Sequence, residues 1–174
     1  WLVGRQRQMF IRDRLSRRAL SMISRLQGKI LSRDAACVEV ETSGGVVYEV
    51  EVPITVLQGL PSPGGSVELR TLQVVTENSI ALYGFSNAHE RLLFQRLLTA
   101  TGVGAKLALA MMSTYSAERL ERALVEKDST ALQQVRGIGK KKAAKLALDL
   151  ADKFAELAIA VPYPPLTLPT NHTW

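Results

Sequence analysis

The sequence predicts an α+β chain: a small β-barrel followed by a compact all-helical region. Three observations predict it. Between residues 22 and 85, apolar residues alternate with period two through short runs. From residue 86 the apolar spacing lengthens to that of a helix. Within the helical half, one glycine-containing turn is written twice.

The first half holds five runs rich in Val, Ile and Leu, at 23–31, 37–41, 46–52, 67–75 and 79–83. Cys37-Val38-Glu39-Val40-Glu41 and Val47-Tyr48-Glu49-Val50-Glu51-Val52 alternate strictly, so each has one apolar face. Ser43-Gly44-Gly45 and Pro61-Ser62-Pro63-Gly64-Gly65 are turn signals between runs. Five strands in about 60 residues fit a closed barrel of the oligonucleotide-binding (OB) type. A short sandwich is the competing arrangement.

The helical half starts at Asn87, with Glu90 three residues on in a capping-box pattern. Leu92, Leu93, Phe94, Leu97 and Leu98 then line one face. Further helices are expected at 105–114, 117–126, 130–135 and 140–154, with Ser116 and Ser129 as N-caps. The links between them are very short, so the helices must pack closely.

The 174 residues are 47% hydrophobic and 22% charged, a globular balance sufficient for one ordinary domain or two small ones. No apolar run approaches the ~20 residues of a membrane helix. The single cysteine, Cys37, excludes an intrachain disulfide. It is expected as a small buried apolar side chain and fits a reducing, cytoplasmic setting. The net charge is +6, but residues 1–21 hold Arg5, Arg7, Arg12, Arg14, Arg17 and Arg18 against Asp13 alone. Any nucleic-acid function must therefore rest on local charge placement, not on the total. These residues read as a non-native or disordered basic leader, with Met22 as the natural start; the alternative is a basic arm on DNA or a targeting peptide. Residues 22–85 form the expected barrel domain and 86–155 the helical domain. Residues 156–174, with Pro162, Pro164, Pro165 and Pro169, read as a proline-rich tail.

The repeated unit carries the chemistry. Its first copy runs from Leu97 through Gly102-Val103-Gly104-Ala105-Lys106 to Ala108. Its second runs from Leu132 through Arg136-Gly137-Ile138-Gly139-Lys140-Lys141-Lys142 to Ala147. Each reads as a helix, a Gly-hydrophobic-Gly turn, and a second helix opened by lysine. Glycine permits φ > 0 and removes the Cβ that would block another backbone. Val103 or Ile138 anchors the turn between the helices. Free backbone N–H groups then face outward at a helix N-terminus, where the dipole favours an anion. The natural ligand is one DNA phosphate per hairpin, a contact that positions without reading bases. One such turn alone is more often just a tight turn. Two copies in one frame, with Lys140, Lys141 and Lys142 where helices usually prefer acids, argue for an anionic partner.

Other chemistries lack their motifs. A dinucleotide fingerprint needs a third glycine and a preceding strand, and neither copy has them. There is no Walker-type loop and no metal-ligand spacing, and His89 and His172 lie far apart in sequence. The expectation is a non-catalytic protein without metal or cofactor.

Several stretches resemble the RuvA family of bacterial Holliday-junction-recognition subunits. They are Met22-Ile23-Ser24-Arg25-Leu26-Gln27-Gly28, Gly45-Val46-Val47-Tyr48-Glu49-Val50, Leu82-Tyr83-Gly84-Phe85, Glu90-Arg91-Leu92-Leu93-Phe94, and the segments 102–109 and 137–142. Together they cover roughly residues 22–155 in the family's order. Tandem helix-hairpin-helix units alone occur in other repair proteins; the barrel in front, joined by a Tyr-Gly-Phe hinge, makes the match specific. The resemblance implies a homotetramer, alone or as a pair of tetramers, holding a four-way junction open and square-planar. It implies roles in recombination, repair and the SOS response in the bacterial cytoplasm, at the nucleoid. It also implies partners: the RuvB ATPase motor and the RuvC resolvase. An acidic pin is expected at Glu77-Asn78, where the family has two adjacent acids. The third family domain, which contacts the motor, is not recognisable in the tail, so motor coupling is in question. The alternatives are a general duplex or single-strand binder using the barrel as a platform, and the DNA-binding end of a nuclease or ligase.

Overall fold

The structure, a computed structural model, describes residues 22–158. The expected leader and nearly all of the expected tail lie outside the described residues. Strands β1 (Arg25–Arg33), β2 (Cys37–Glu41), β3 (Val47–Glu51), β4 (Ser66–Val75) and β5 (Ile80–Phe85) close into a barrel in the order β1-β2-β3-β5-β4. β1 is long enough to serve two neighbours: Lys29 pairs with Glu41 of β2 and with Ser66 of β4. A register shift between Ile30 and Ser32 bends β1 around the corner. A parallel pairing of Glu51 with Tyr83 shuts the cylinder between β3 and β5. Closure decides for the OB-type barrel and against the sandwich.

Period two sorts the barrel's side chains. Val38, Val40 and Val50 fill the interior with Leu26, Ile30, Val52, Val67 and Leu69. Cys37 shares the outward face of β2 with Glu39 and Glu41, so it is half-buried rather than the core residue expected. Partial burial pushes its thiol pKa up, and neighbouring Glu49 pushes it further.

Between β3 and β4 sits α1 (Ile54–Gly59), a helix too short to show a period in sequence. It packs on the end of a later helix. The Ile54 N–H donates to Ser113 Oγ at 3.0 Å, and Thr55 Oγ1 donates to the Met112 carbonyl at 2.8 Å.

The remaining helices are α2 (Ala88–Leu97), α3 (Ala105–Thr114), α4 (Ala117–Val125), α5 (Ser129–Gln133) and α6 (Lys140–Ala158). Asn87 caps α2 by accepting the Glu90 N–H, while Glu90 accepts the Ser86 N–H. Ser116 caps α4 as expected. Ser129 does not cap α5. Asp128 does, accepting the N–H groups of Thr130 and Ala131, and Ser129 becomes the first helical residue. A carboxylate is the stronger acceptor for two amides, so it takes the cap. α6 runs on through Ala158, past the expected end at Phe154.

The second core crosses the whole molecule. Leu72, Tyr83 and Phe85, from the barrel, join Leu93, Phe94 and Leu97 of α2 and the inward faces of α3 to α6. The Phe94 ring lies 4.9 Å from Tyr83 and 5.0 Å from Phe85. Tyr83-Gly84-Phe85 is therefore no hinge. It is buried β-strand, and Gly84 is required because a Cβ there would sit 2.6 Å from Val50 Cγ1.

Candidate nucleic-acid interface

The two Gly-hydrophobic-Gly turns connect α2 to α3 and α5 to α6. In each, the first glycine takes a left-handed conformation, with φ +82° at Gly102 and +91° at Gly137. The next N–H closes the turn just past the preceding helix: Val103 donates to the Ala100 carbonyl, and Ile138 to the Val135 carbonyl, both at 3.1 Å. The side chains of Val103 and Ile138 are 6% and 5% exposed, so both turns are anchored in the core as expected. The second glycine of each pair then stands at the mouth of the following helix.

These two mouths differ from the starts of α2 and α4, although short α1 also lacks a side-chain cap and a first-turn acid. α2 and α4 carry a side-chain cap and an acid, Glu90 or Glu118, in the first turn. α3 has neither: Gly104 offers no side-chain cap, and no acid lies in the first turn. α6 also lacks a first-turn acid, and Gly139 before it has no side chain. In α3 the Leu107 N–H already donates to the Gly104 carbonyl at 3.1 Å; the amides ahead of it, and those that open α6, have no acceptor within their own helix. They are left open to an outside anion, with the dipole favouring one.

Gly104 and Gly139 have no internal reason to be glycine. Neither has positive φ, and a Cβ built on either would have nothing within 4 Å. The missing Cβ therefore leaves room for something outside the fold.

The cations stand ready. Lys106, Arg136, Lys140, Lys141 and Lys142 are all exposed, and among the described residues none makes an ion pair. The two hairpins also lie side by side: a Cβ at Gly137 would be 3.9 Å from Leu107 Cδ1, in the first turn of α3. The two turns singled out from sequence are thus neighbours in the fold.

Glu77 and Asn78 sit elsewhere, at the tip of the β4–β5 hairpin. Thr76 and Ser79 close that turn through an N–H to carbonyl bond of 2.8 Å and a hydroxyl pair at 2.7 Å. Both tip residues are exposed, and Val75 (64% exposed) and Ile80 (72% exposed) pair just below them.

The barrel offers no exposed aromatic platform among the described residues. Tyr83 and Phe85 are buried, and Tyr48 packs against the barrel core. The outward face of β2 and β3 presents Glu39, Glu41, Glu49 and Glu51 instead. No group of three metal-ligating side chains occurs among the described residues, nor any helix long and apolar enough to cross a membrane.

Sequence reasoning missed α1 and its bonds to α3, and it missed Asp149 and Lys153. The i,i+4 spacing of those two residues signals a helical ion pair. Nothing in sequence says what the pair faces.

Fold and site together define a two-part protein: a closed five-stranded barrel carrying a tandem helix-hairpin-helix unit with two open, glycine-fronted helix N-termini. Comparison with known proteins gives the same division. Residues 22–84 match the family model described as RuvA N terminal domain, and residues 94–152 match the SAM-like helix-hairpin-helix tandem. Proteins named Holliday junction branch migration complex subunit RuvA are similar along most of the chain. That of Gemmatimonas aurantiaca is 48% identical over 132 residues, covering 76% of this chain and 67% of that protein. The protein of Acidobacterium capsulatum is 40% identical over 141 residues, covering 81% and 71%. That of Thioalkalivibrio sulfidiphilus is 39% identical over 140 residues, covering 80% and 69%. The chain belongs to the RuvA family.

Proposed function

We propose that this protein binds four-way DNA junctions by their backbones, without reading sequence, and holds them open for branch migration driven by a partner. The observation that carries the reading is the pair Gly104 and Gly139. Each lacks a Cβ that the fold itself would tolerate, and each stands before a helix mouth without acid or side-chain cap. A phosphate fits there, close to the main chain, with Lys106 or Lys140, Lys141 and Lys142 beside it. Gly102, Val103, Gly137 and Ile138 shape the turns, and Arg136 adds charge at the second. The relatives' name, with its Holliday junction and branch migration complex, supports the junction as target.

Resemblance to the family supports the rest. A homotetramer, single or paired face to face, would set one hairpin pair on each arm. Glu77, with Asn78, would form the pin at the crossover, repelling phosphates. ATP hydrolysis would belong to the RuvB motor, with RuvC as resolvase, and the protein itself would be non-catalytic, working in the bacterial cytoplasm. The single-strand platform is disfavoured because the outward β2–β3 face is acidic and its rings are turned inward.

The test is binding to a synthetic four-way junction with linear duplex of the same arm sequences in excess, at near-physiological salt. Junction preference that is independent of arm sequence is expected. Equal binding to both would reduce the protein to a general duplex binder. Lys140→Glu with Lys141→Glu should abolish binding to every duplex-containing substrate alike; loss confined to certain base sequences would overturn the phosphate clamp.

A further inference from the structure

The first hairpin is held by more than its own buried valine. The N–H of Thr101, just before Gly102, donates to Asp149 Oδ2 of α6 at 3.0 Å. One turn further along α6, Lys153 donates its Nζ to the Thr99 carbonyl and lies 3.6 Å from the same carboxylate. One acid–base pair thus grips the turn at two points, residues 99 and 101. Both side chains remain about one-third exposed, at 33% for Lys153 and 32% for Asp149.

A carboxylate is a poor neighbour for a helix mouth that receives a phosphate. Left bare, Asp149 would repel the ligand, and Lys153 offsets its charge. The second hairpin has no such grip among the described residues. Arg136, which stands where Thr101 stands in the first copy, is exposed and makes no ion pair. α6 starts at the second hairpin with Lys140 and reaches the first hairpin with Asp149 and Lys153. One rigid helix therefore touches both turns.

We infer that Asp149 and Lys153 are a positioning pair that holds the first hairpin in its phosphate-accepting shape and fixes its placement relative to the second. Asp149 supplies the acceptor for Thr101. Lys153 secures Thr99 and cancels the acid's charge. The inference rests on the phosphate-clamp function proposed above.

The experiment is a salt titration of junction affinity with the full chain. Asp149→Ala should weaken binding about tenfold and make the salt dependence shallower, by about one unit of slope per protomer bound, as one phosphate contact is lost. Asp149→Asn keeps an acceptor oxygen without the charge and should restore most of the affinity and slope. Lys153→Met should weaken binding because it exposes the acid, and adding Asp149→Asn to it should recover binding. A purely structural role would lower the melting temperature of Asp149→Ala and leave the slope untouched, which would overturn the inference. Failure of Asp149→Asn to relieve Lys153→Met would also overturn it. If Asp149→Ala fails to fold, the Lys153→Met pair of variants still decides. Lys140→Glu with Lys141→Glu serves as control: persistent binding there means that the clamp itself is wrong, not merely its support.

Discussion

Four glycines occupy alike places in the two turns, yet they answer to different forces. Gly102 and Gly137 are needed by the backbone, since a side chain at φ near +80° to +90° is strained. Replacing either with Ala should cost about 1–2 kcal/mol of stability. Gly104 and Gly139 are free of that constraint and of internal clashes. Gly104→Ala and Gly139→Ala should shift thermal stability by less than about 1 kcal/mol, yet weaken DNA binding about tenfold by holding the phosphate away. Melting curves and junction titrations on the four variants separate the two classes. Affinity loss that tracks stability across all four would remove the ligand from the explanation. Lys127 supplies a converse check, as a non-glycine held at φ +56° where α4 ends. Lys127→Gly should raise stability by about 1 kcal/mol.

At the scale of elements, local signals were legible and long-range ones were not. The alternation of 37–41 and 46–52 marks β2 and β3 because period two is written by the neighbours in sequence. The repeated frame at 97–108 and 132–147 marks both hairpins for the same reason. α1 was hidden because six residues after Pro53 show less than two helical turns, and its support comes from Ser113 and Met112, far along the chain. Ser129 looked like a cap because Ser is a good one, but Asp128 was one residue nearer the turn. Tyr83-Gly84-Phe85 reads as a hinge through the family resemblance; only the closed barrel reveals Val50 pressing on Gly84. Asp149 and Lys153 announce their pairing but not their target, the turn at residues 99–101. The β4–β5 hairpin yields a prediction of its own. Its tip holds one acid, Glu77, beside neutral Asn78, both exposed. Glu77→Lys should therefore leave junction affinity unchanged or raise it, while slowing branch migration in a reconstituted assay. A sharp loss of affinity would remove Glu77 from the pin role.

At the scale of the molecule, the decisive feature is that Leu72, Tyr83 and Phe85 of the barrel belong to the core of the helices, beside the barrel's own interior core. Phe94 is fully buried, with its ring at about 5 Å from both Tyr83 and Phe85, so α2 is packed onto β5 rather than tethered to it. Arg91 adds a bond from its Nε to the Thr71 carbonyl of β4 at 2.6 Å, and α1 grips the end of α3 from the other side. The hairpins are thus fixed relative to the barrel, as the proposal of a pin on the barrel and clamps on the helices, acting on one junction at once, requires. Such continuity implies a single cooperative unfolding transition. Phe94→Ala should cost about 3–5 kcal/mol and lower the midpoint of the barrel and of the helices together. Hydrogen exchange read separately on β2–β3 amides and on α6 amides tests this. Equal loss of protection in both places is the expected result. Loss confined to the helices would show that the barrel stands alone, and that the hairpins' placement must then come from the assembled protein and its DNA.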